Sequence, residues 1–173
     1  YGVYTPFWKN LRQRTIAPAL PAPEPIGPAL PVGAIDDAYV SPHWSGKLAA
    51  HWQIGENAAA ERLADFLDEV VGEYPAARDI PAIAATSRLS PHLSFGEISP
   101  RQVWHAAQVM AQQAPEKATA IDKFLSELAW RDFNIHQLYY RADIATEPMQ
   151  AKYQAMPWRE PRDELGRWQR GET

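Results

Sequence analysis

The residues best equipped for chemistry crowd into one short run, Phe124-Leu125-Ser126-Glu127-Leu128-Ala129-Trp130-Arg131-Asp132-Phe133-Asn134. The run holds no Pro and no Gly, and its charges are interleaved with large apolar groups. On a helix each residue turns the direction by about 100°. Phe124, Glu127, Trp130, Arg131 and Asn134 then share one face. That face sets a carboxylate acceptor, an indole for stacking, a guanidinium and an amide side by side. Leu125, Leu128, Ile135 and Tyr139 fall on an adjoining stripe that reads as core contact. The mixed face is open to two readings. It is a face that meets a ligand, or it is a solvated Glu127–Arg131 pair at i,i+4 contributing roughly a few tenths of a kcal/mol.

A second candidate is Thr86-Ser87-Arg88-Leu89-Ser90-Pro91. Here Ser90 is expected as N-cap, with Pro91 at the first helical position. Three hydroxyls and a guanidinium beside a helix start suit an anion, because free backbone N–H groups point there. Plain capping by Ser and Thr accounts for the same residues. His105 stands alone inside a helical stretch with no metal-ligand spacing around it, so no metal site is expected. The chain has no Gly-rich phosphate loop of the GxGxxG or GxxxxGK type.

The elements that must position these residues read as helices. The run above extends to a helix from Thr119 to Tyr140. Glu56 to Val71 is rich in Ala, Glu and Leu, with Ala59, Leu63, Phe66, Leu67 and Val70 at helical spacing. Gly72 is expected to end it. Gly96 closes the short helix that Ser90 opens. Ser99 and Gln102 make a capping box for a helix reaching Gln113. Pro6 precedes a short helix expected over Phe7 to Arg14. Residues 17–33 hold six prolines and read as a linker. Residues 141–173 are expected to be irregular, punctuated by Pro148, Pro157 and Pro161. No strand pairing is legible. The expected fold is therefore all-α, with residues 1–33 as linker and 34–173 as the helical domain.

Composition bounds the classes. With 173 residues, 46% hydrophobic and 22% charged, the chain can build one core. No apolar run is long enough to span a bilayer, so no membrane partner is expected. The absence of cysteine excludes disulfides, thiolate metal sites and a Cys nucleophile, and suits a cytoplasmic protein. A net charge of −4 argues mildly against nucleic-acid binding and leaves local clusters to decide. Seven Trp and seven Tyr suit core filling, stacking on bases or a planar cofactor, or electron hopping.

The run Ser126-Glu127-Leu128-Ala129-Trp130-Arg131-Asp132-Phe133 resembles the signature helix of the DNA photolyase/cryptochrome family. A second stretch matches in the family's order and spacing: Tyr74-Pro75-Ala76-Ala77-Arg78-Asp79, then Thr86 through Gly96, then Ser99-Pro100-Arg101-Gln102. The resemblance runs from Thr5-Pro6-Phe7 to the last residues. It implies the N-terminal part of a helical FAD-binding domain, in a chain that is incomplete. An antenna domain with its own chromophore would precede the linker. Tyr74, Thr86, Ser87, Arg88, Leu89 and Ser90 would contact FAD. Phe124, where some relatives have Trp, would lie against the flavin, and Arg131 would reach its polar edge. Glu127 and Trp130 would meet a pyrimidine dimer flipped out of damaged DNA. Arg78, Arg131 and Asn134 would serve DNA binding, and Trp158 would be the outer member of an electron relay. The implied activity is light-driven repair of cyclobutane pyrimidine dimers by a protein that is monomeric when whole. The alternative is a cryptochrome-type photoreceptor with the same flavin and no repair. A helical partner-binding module without cofactor is the reading from another class.

Overall fold

Helix α7, Ala118–Tyr140, is the axis on which the other elements assemble. The structure is a computed structural model and describes residues 1–24, 42–157, 159 and 163–172. Ile121, Phe124, Leu125, Ala129 and Phe133 recur every three or four residues along α7 and are buried. Helix α6, Pro100–Gln113, packs along this side and buries Val103 and Ala107. Its start is fixed by the capping box: Ser99 Oγ accepts from the Gln102 N–H at 3.2 Å, and Gln102 Oε1 accepts from the Ser99 N–H at 2.8 Å.

Helix α1, Tyr4–Leu11, also packs on α7. Arg12 reaches Asp122 at 3.3 Å, and the Tyr4 hydroxyl donates to the Ser126 carbonyl. His105 Nε2 donates to the Ala17 carbonyl at 3.0 Å. The first part of the stretch assigned to a linker is thus packed against the helical body. Its helix begins and ends three residues earlier than Phe7 to Arg14, because the aromatic residues on both sides of Pro6 meet α7. Residues 25–41, which carry the rest of the proline run, lie outside the described residues.

Helix α2, Ser45–Ala49, is followed by α3, Glu56–Asp65. The helix expected to end at Gly72 instead changes pitch. A π turn spans Phe66–Val70, a 3₁₀ turn spans Val71–Glu73, and α4 follows at Tyr74–Ala77. Gly72 does not take the left-handed conformation of a C-cap. The changes of pitch let Phe66, Leu67, Val71 and Tyr74 all turn inward. Helix α5 covers Ser90–Phe95 and ends at Gly96 with φ 76°, in the left-handed region where glycine costs least. Leu89 rather than Ser90 is its N-cap, and no side chain caps it. Beyond α7, short 3₁₀ turns at Ala142–Ala145 and Ala151–Tyr153 precede α8, Asp163–Gln169, so the expected irregular tail contains some helix. No strand occurs among the described residues.

The apolar stripe expected to be core is core only at its start. Leu125 is buried, but Ile135 is 62% exposed and Tyr139 81% exposed, with Leu138 and Tyr140 also open. The N-terminal residues cover His136 and Gln137 at that end of α7 but leave these four side chains open. An apolar surface of this kind favours association. The isolated 173-residue chain is therefore expected to self-associate, and Ile135→Lys with Tyr139→Lys to shift it toward monomer in sedimentation velocity. Equal behaviour of the two proteins would place the sticky surface elsewhere.

Candidate functional site

Three aromatic rings sit where the π turn after α3 meets α4 and α7. Phe66 lies 4.7 Å from Phe124 and 5.6 Å from Tyr74, and Tyr74 lies 5.7 Å from Phe124, both contacts of Tyr74 being edge-on. All three residues are buried. Edge-to-face pairs of this kind add about 0.5–1.5 kcal/mol each beyond their burial. The trio joins two polar regions.

The first region is a cavity of about 280 Å³, lined by Arg62, Phe66, Thr86, Ser87 and Arg88 among others. Arg88 has φ 54°, a left-handed backbone that a non-glycine residue adopts only under tertiary constraint. Its guanidinium lies 4.6 Å from the Trp52 ring centroid, and that of Arg62 lies 5.9 Å from the same ring. Arg62 Nε is buried with no hydrogen-bond partner among the described residues. Two guanidiniums and two hydroxyls form a donor set for a phosphate beside the carboxylates of Glu61 and Asp65, which also line the cavity, and a buried unpaired N–H carries a cost that an anion would remove.

The second region surrounds Glu127. Its Oε1 accepts from Arg78 Nη1 at 2.7 Å and from Lys123 Nζ at 2.7 Å. Arg78 Nη1 also lies 3.2 Å from the Tyr74 hydroxyl, and Arg78 Nε is 3.2 Å from Asp79. Burial alone would raise the Glu127 pKa. The hydrogen bonds from Lys123 and Arg78 outweigh it and hold the carboxyl below its ordinary value of 4.5. Burial opposes the charged form of Arg78 too, but its bond to Glu127 prevails and its pKa is raised. Burial raises the Tyr74 hydroxyl, so it stays neutral while its oxygen accepts from Arg78 Nη1.

The comparisons with known proteins bear on this arrangement. The family model for the FAD binding domain of DNA photolyase matches residues 124–173. The deoxyribodipyrimidine photo-lyase of Agrobacterium fabrum is 34% identical over the whole chain, which covers 37% of that protein. That of a Thermus thermophilus strain is 35% identical, again over the whole chain and 38% of its own length. The crystal structure of a bacterial class III photolyase from Agrobacterium tumefaciens superposes with a TM-score of 0.78 at 33% identity, covering 99% of this chain and 36% of that one. Over its whole length the chain is similar to DNA photolyases. It spans just over a third of the length of these relatives.

In this photolyase-like chain the mixed face of α7 is one face by spacing, but its members meet different surroundings. Phe124, at 5% exposure, is a core residue of the aromatic trio. Glu127 pairs with Lys123 and Arg78, and the i,i+4 partner is Lys123 rather than Arg131. Trp130 is 38% exposed and lies flat on Tyr4. Arg131 is half-buried, with Nη1 unpaired among the described residues, and Asn134 is exposed. Thr86, Ser87 and Arg88 line the cavity. Leu89 instead fills the core, and Ser90 is exposed in the first turn of α5. Trp158 lies outside the described residues. Sequence reasoning missed Arg62, Trp52 and Tyr4, which carry no local signal. It also missed Lys123, which i,i+4 spacing to Glu127 could have supplied. No cluster of His, Asp or Glu able to hold a metal, and no helix long and apolar enough to cross a membrane, occurs among the described residues.

The Glu127 pairing has a pH signature. A carboxyl with a lowered folded pKa stabilises the fold above its ordinary value near 4.5, and that contribution vanishes as pH falls through the lowered value. Glu127→Gln is expected to cost stability near neutrality and to converge on the parent protein in denaturant series taken from about pH 6 to about pH 3. A gap that stays constant across that range would mean the charge of Glu127 contributes nothing.

Proposed function

We propose that this chain is the N-terminal part of a light-driven repair flavoprotein that splits cyclobutane pyrimidine dimers in DNA. The observation that carries the reading is a single packed route. A phosphate-suited cavity with an unpaired buried Arg62 N–H leads through Phe66, Tyr74 and Phe124 to a helix that presents Glu127 and a half-exposed Trp130. The names of the relatives supply the reaction class.

The donor set fits the diphosphate of FAD. Arg62, Arg88, Thr86 and Ser87 would hold it, and the cavity is the size of a small ligand pocket or of part of a larger one. Reduced FAD, when bound, would supply on blue-light excitation one electron that opens the two carbon–carbon bonds of the cyclobutane ring and is returned once they are broken. The rings of Phe66, Tyr74 and Phe124 keep water from the apolar interior beside it. A dimer must leave the duplex stack to come near such a buried site. Trp130 offers the flipped pair an apolar platform. Both cations meet Glu127 at Oε1, which leaves Oε2 to accept a pyrimidine N–H. Arg78 is close enough to the same carboxylate to exchange it for a backbone phosphate. Trp158 is proposed as the outer member of an electron relay to the flavin.

The test is light-dependent repair of a dimer-containing oligonucleotide by the intact protein that carries this chain, with its absorption spectrum taken alongside. Repair under blue light with a flavin band is the expected result. A flavin band without repair would replace the reading by a photoreceptor, and no flavin band would remove the cofactor altogether.

A further inference from the structure

Trp130 has one face covered. The Tyr4 ring lies parallel to the indole, with centroids 3.7 Å apart and 9° between planes. Tyr4 is itself held: its hydroxyl donates to the Ser126 carbonyl, one turn earlier on α7, and lies 3.0 Å from Ser126 Oγ. Phe133 closes a third side, meeting Trp130 edge-on at 5.5 Å and Tyr4 edge-on at 5.6 Å. Trp130 still keeps 38% of its surface exposed, and no other described ring stacks on it. An indole on an open helix face can turn about both side-chain torsions. One sandwiched against a tethered ring has its plane set by that ring, and only its second face is left for a base.

We infer that Tyr4, on the far side of the proline-rich stretch, is a positioning residue for Trp130, fixing the indole plane so that a flipped pyrimidine pair stacks on the opposite face. The inference rests on the reading of Trp130 as the lesion platform. It adds helix α1 to the lesion site, although no local feature of residues 1–11 suggests it. The physical gain is preorganisation. A platform held before binding spares the ordering of a mobile aromatic side chain when the lesion arrives. Burial raises the Tyr4 hydroxyl above its ordinary pKa, so it remains a donor to Ser126 at physiological pH.

The test is a double-mutant cycle in the intact protein. Tyr4→Ala, Trp130→Ala and the double variant are compared with the parent for affinity to dimer-containing and undamaged duplex, with flavin content and thermal midpoint recorded. Tyr4→Ala is expected to weaken dimer binding about three- to tenfold, from the usual cost of ordering one side chain, and to leave undamaged-duplex binding unchanged. Adding Tyr4→Ala to Trp130→Ala should change dimer affinity no further, because nothing remains to be positioned. Tyr4→Phe keeps the ring and should stay within about twofold of the parent. If Tyr4→Ala does not fold, Tyr4→Leu keeps apolar bulk without a planar ring and should show the same selective loss. An equal effect of Tyr4→Ala with and without Trp130, or a parallel loss of both DNA affinities, overturns the inference and leaves a packing contact. If Trp130→Ala itself leaves dimer affinity unchanged, the reading of the lesion site fails as well. If Trp130→Ala acts and Tyr4→Ala does not, only the role of Tyr4 fails.

Discussion

Replacing Trp130 by alanine in the intact protein is expected to weaken binding to dimer-containing DNA by about ten- to a hundredfold, from a stacking contribution of about 1–3 kcal/mol per base. Binding to undamaged duplex should change little, because phosphate contacts dominate there and Trp130 makes none. The geometry sharpens this forecast. Trp130 lies partly in solvent and leans on Tyr4 and Phe133, so truncation opens no closed cavity. The stability cost should be limited to the lost aromatic pairs, about 0.5–1.5 kcal/mol each. Trp130→Phe should recover much of the discrimination, since a smaller ring still offers a face. The two affinities and the thermal midpoint are measured together. A large fall in midpoint with a uniform loss of both affinities would mean that the indole holds the fold and does not read the lesion.

Phe124→Ala should act in the opposite way. Phe124 sits on the same nominal face of α7, yet it is buried against Phe66 and Tyr74. Removing a buried phenyl ring costs about 3–5 kcal/mol, through lost apolar burial and the cavity left behind. That is a large part of the stability of an ordinary domain. The urea midpoint of the intact protein should fall sharply with an unchanged slope, and Phe124→Leu, which keeps most of the apolar bulk but loses both ring pairs, should lose less than Phe124→Ala. The aromatic trio also borders the cavity through Phe66, so flavin content should drop together with stability. Flavin loss at an unchanged midpoint would identify Phe124 as a pocket wall with no share in the core.

The two variants show why residues on one face of a helix need not share one role. Angular spacing places them together about the helix axis. What each one meets depends on which element crosses α7 at that height. The α3–α4 segment crosses near Phe124 and Glu127, α1 crosses near Ser126 and Trp130, and no described element covers Ile135 and Tyr139. The same reasoning explains why Glu127 binds Lys123 and Arg78 while Arg131, correctly spaced, does not take part. Lys123 was within reach of a local argument. Arg78 was not, because it arrives from another helix.

The features that the sequence determined by itself are those closed within one turn of chain. The Ser99–Gln102 capping box forms as its spacing requires, Gly96 takes the left-handed cap, and an uninterrupted apolar pattern without Pro or Gly makes α7 nearly to the residue. The tertiary structure alone decided the rest. It replaced the expected end at Gly72 by π and 3₁₀ turns, drew Arg62 and Arg88 to Trp52, and set Tyr4 flat on Trp130. Those contacts join residues far apart in the chain. Their energy depends on how whole faces pack, so no short stretch of sequence contains the distances that settle them.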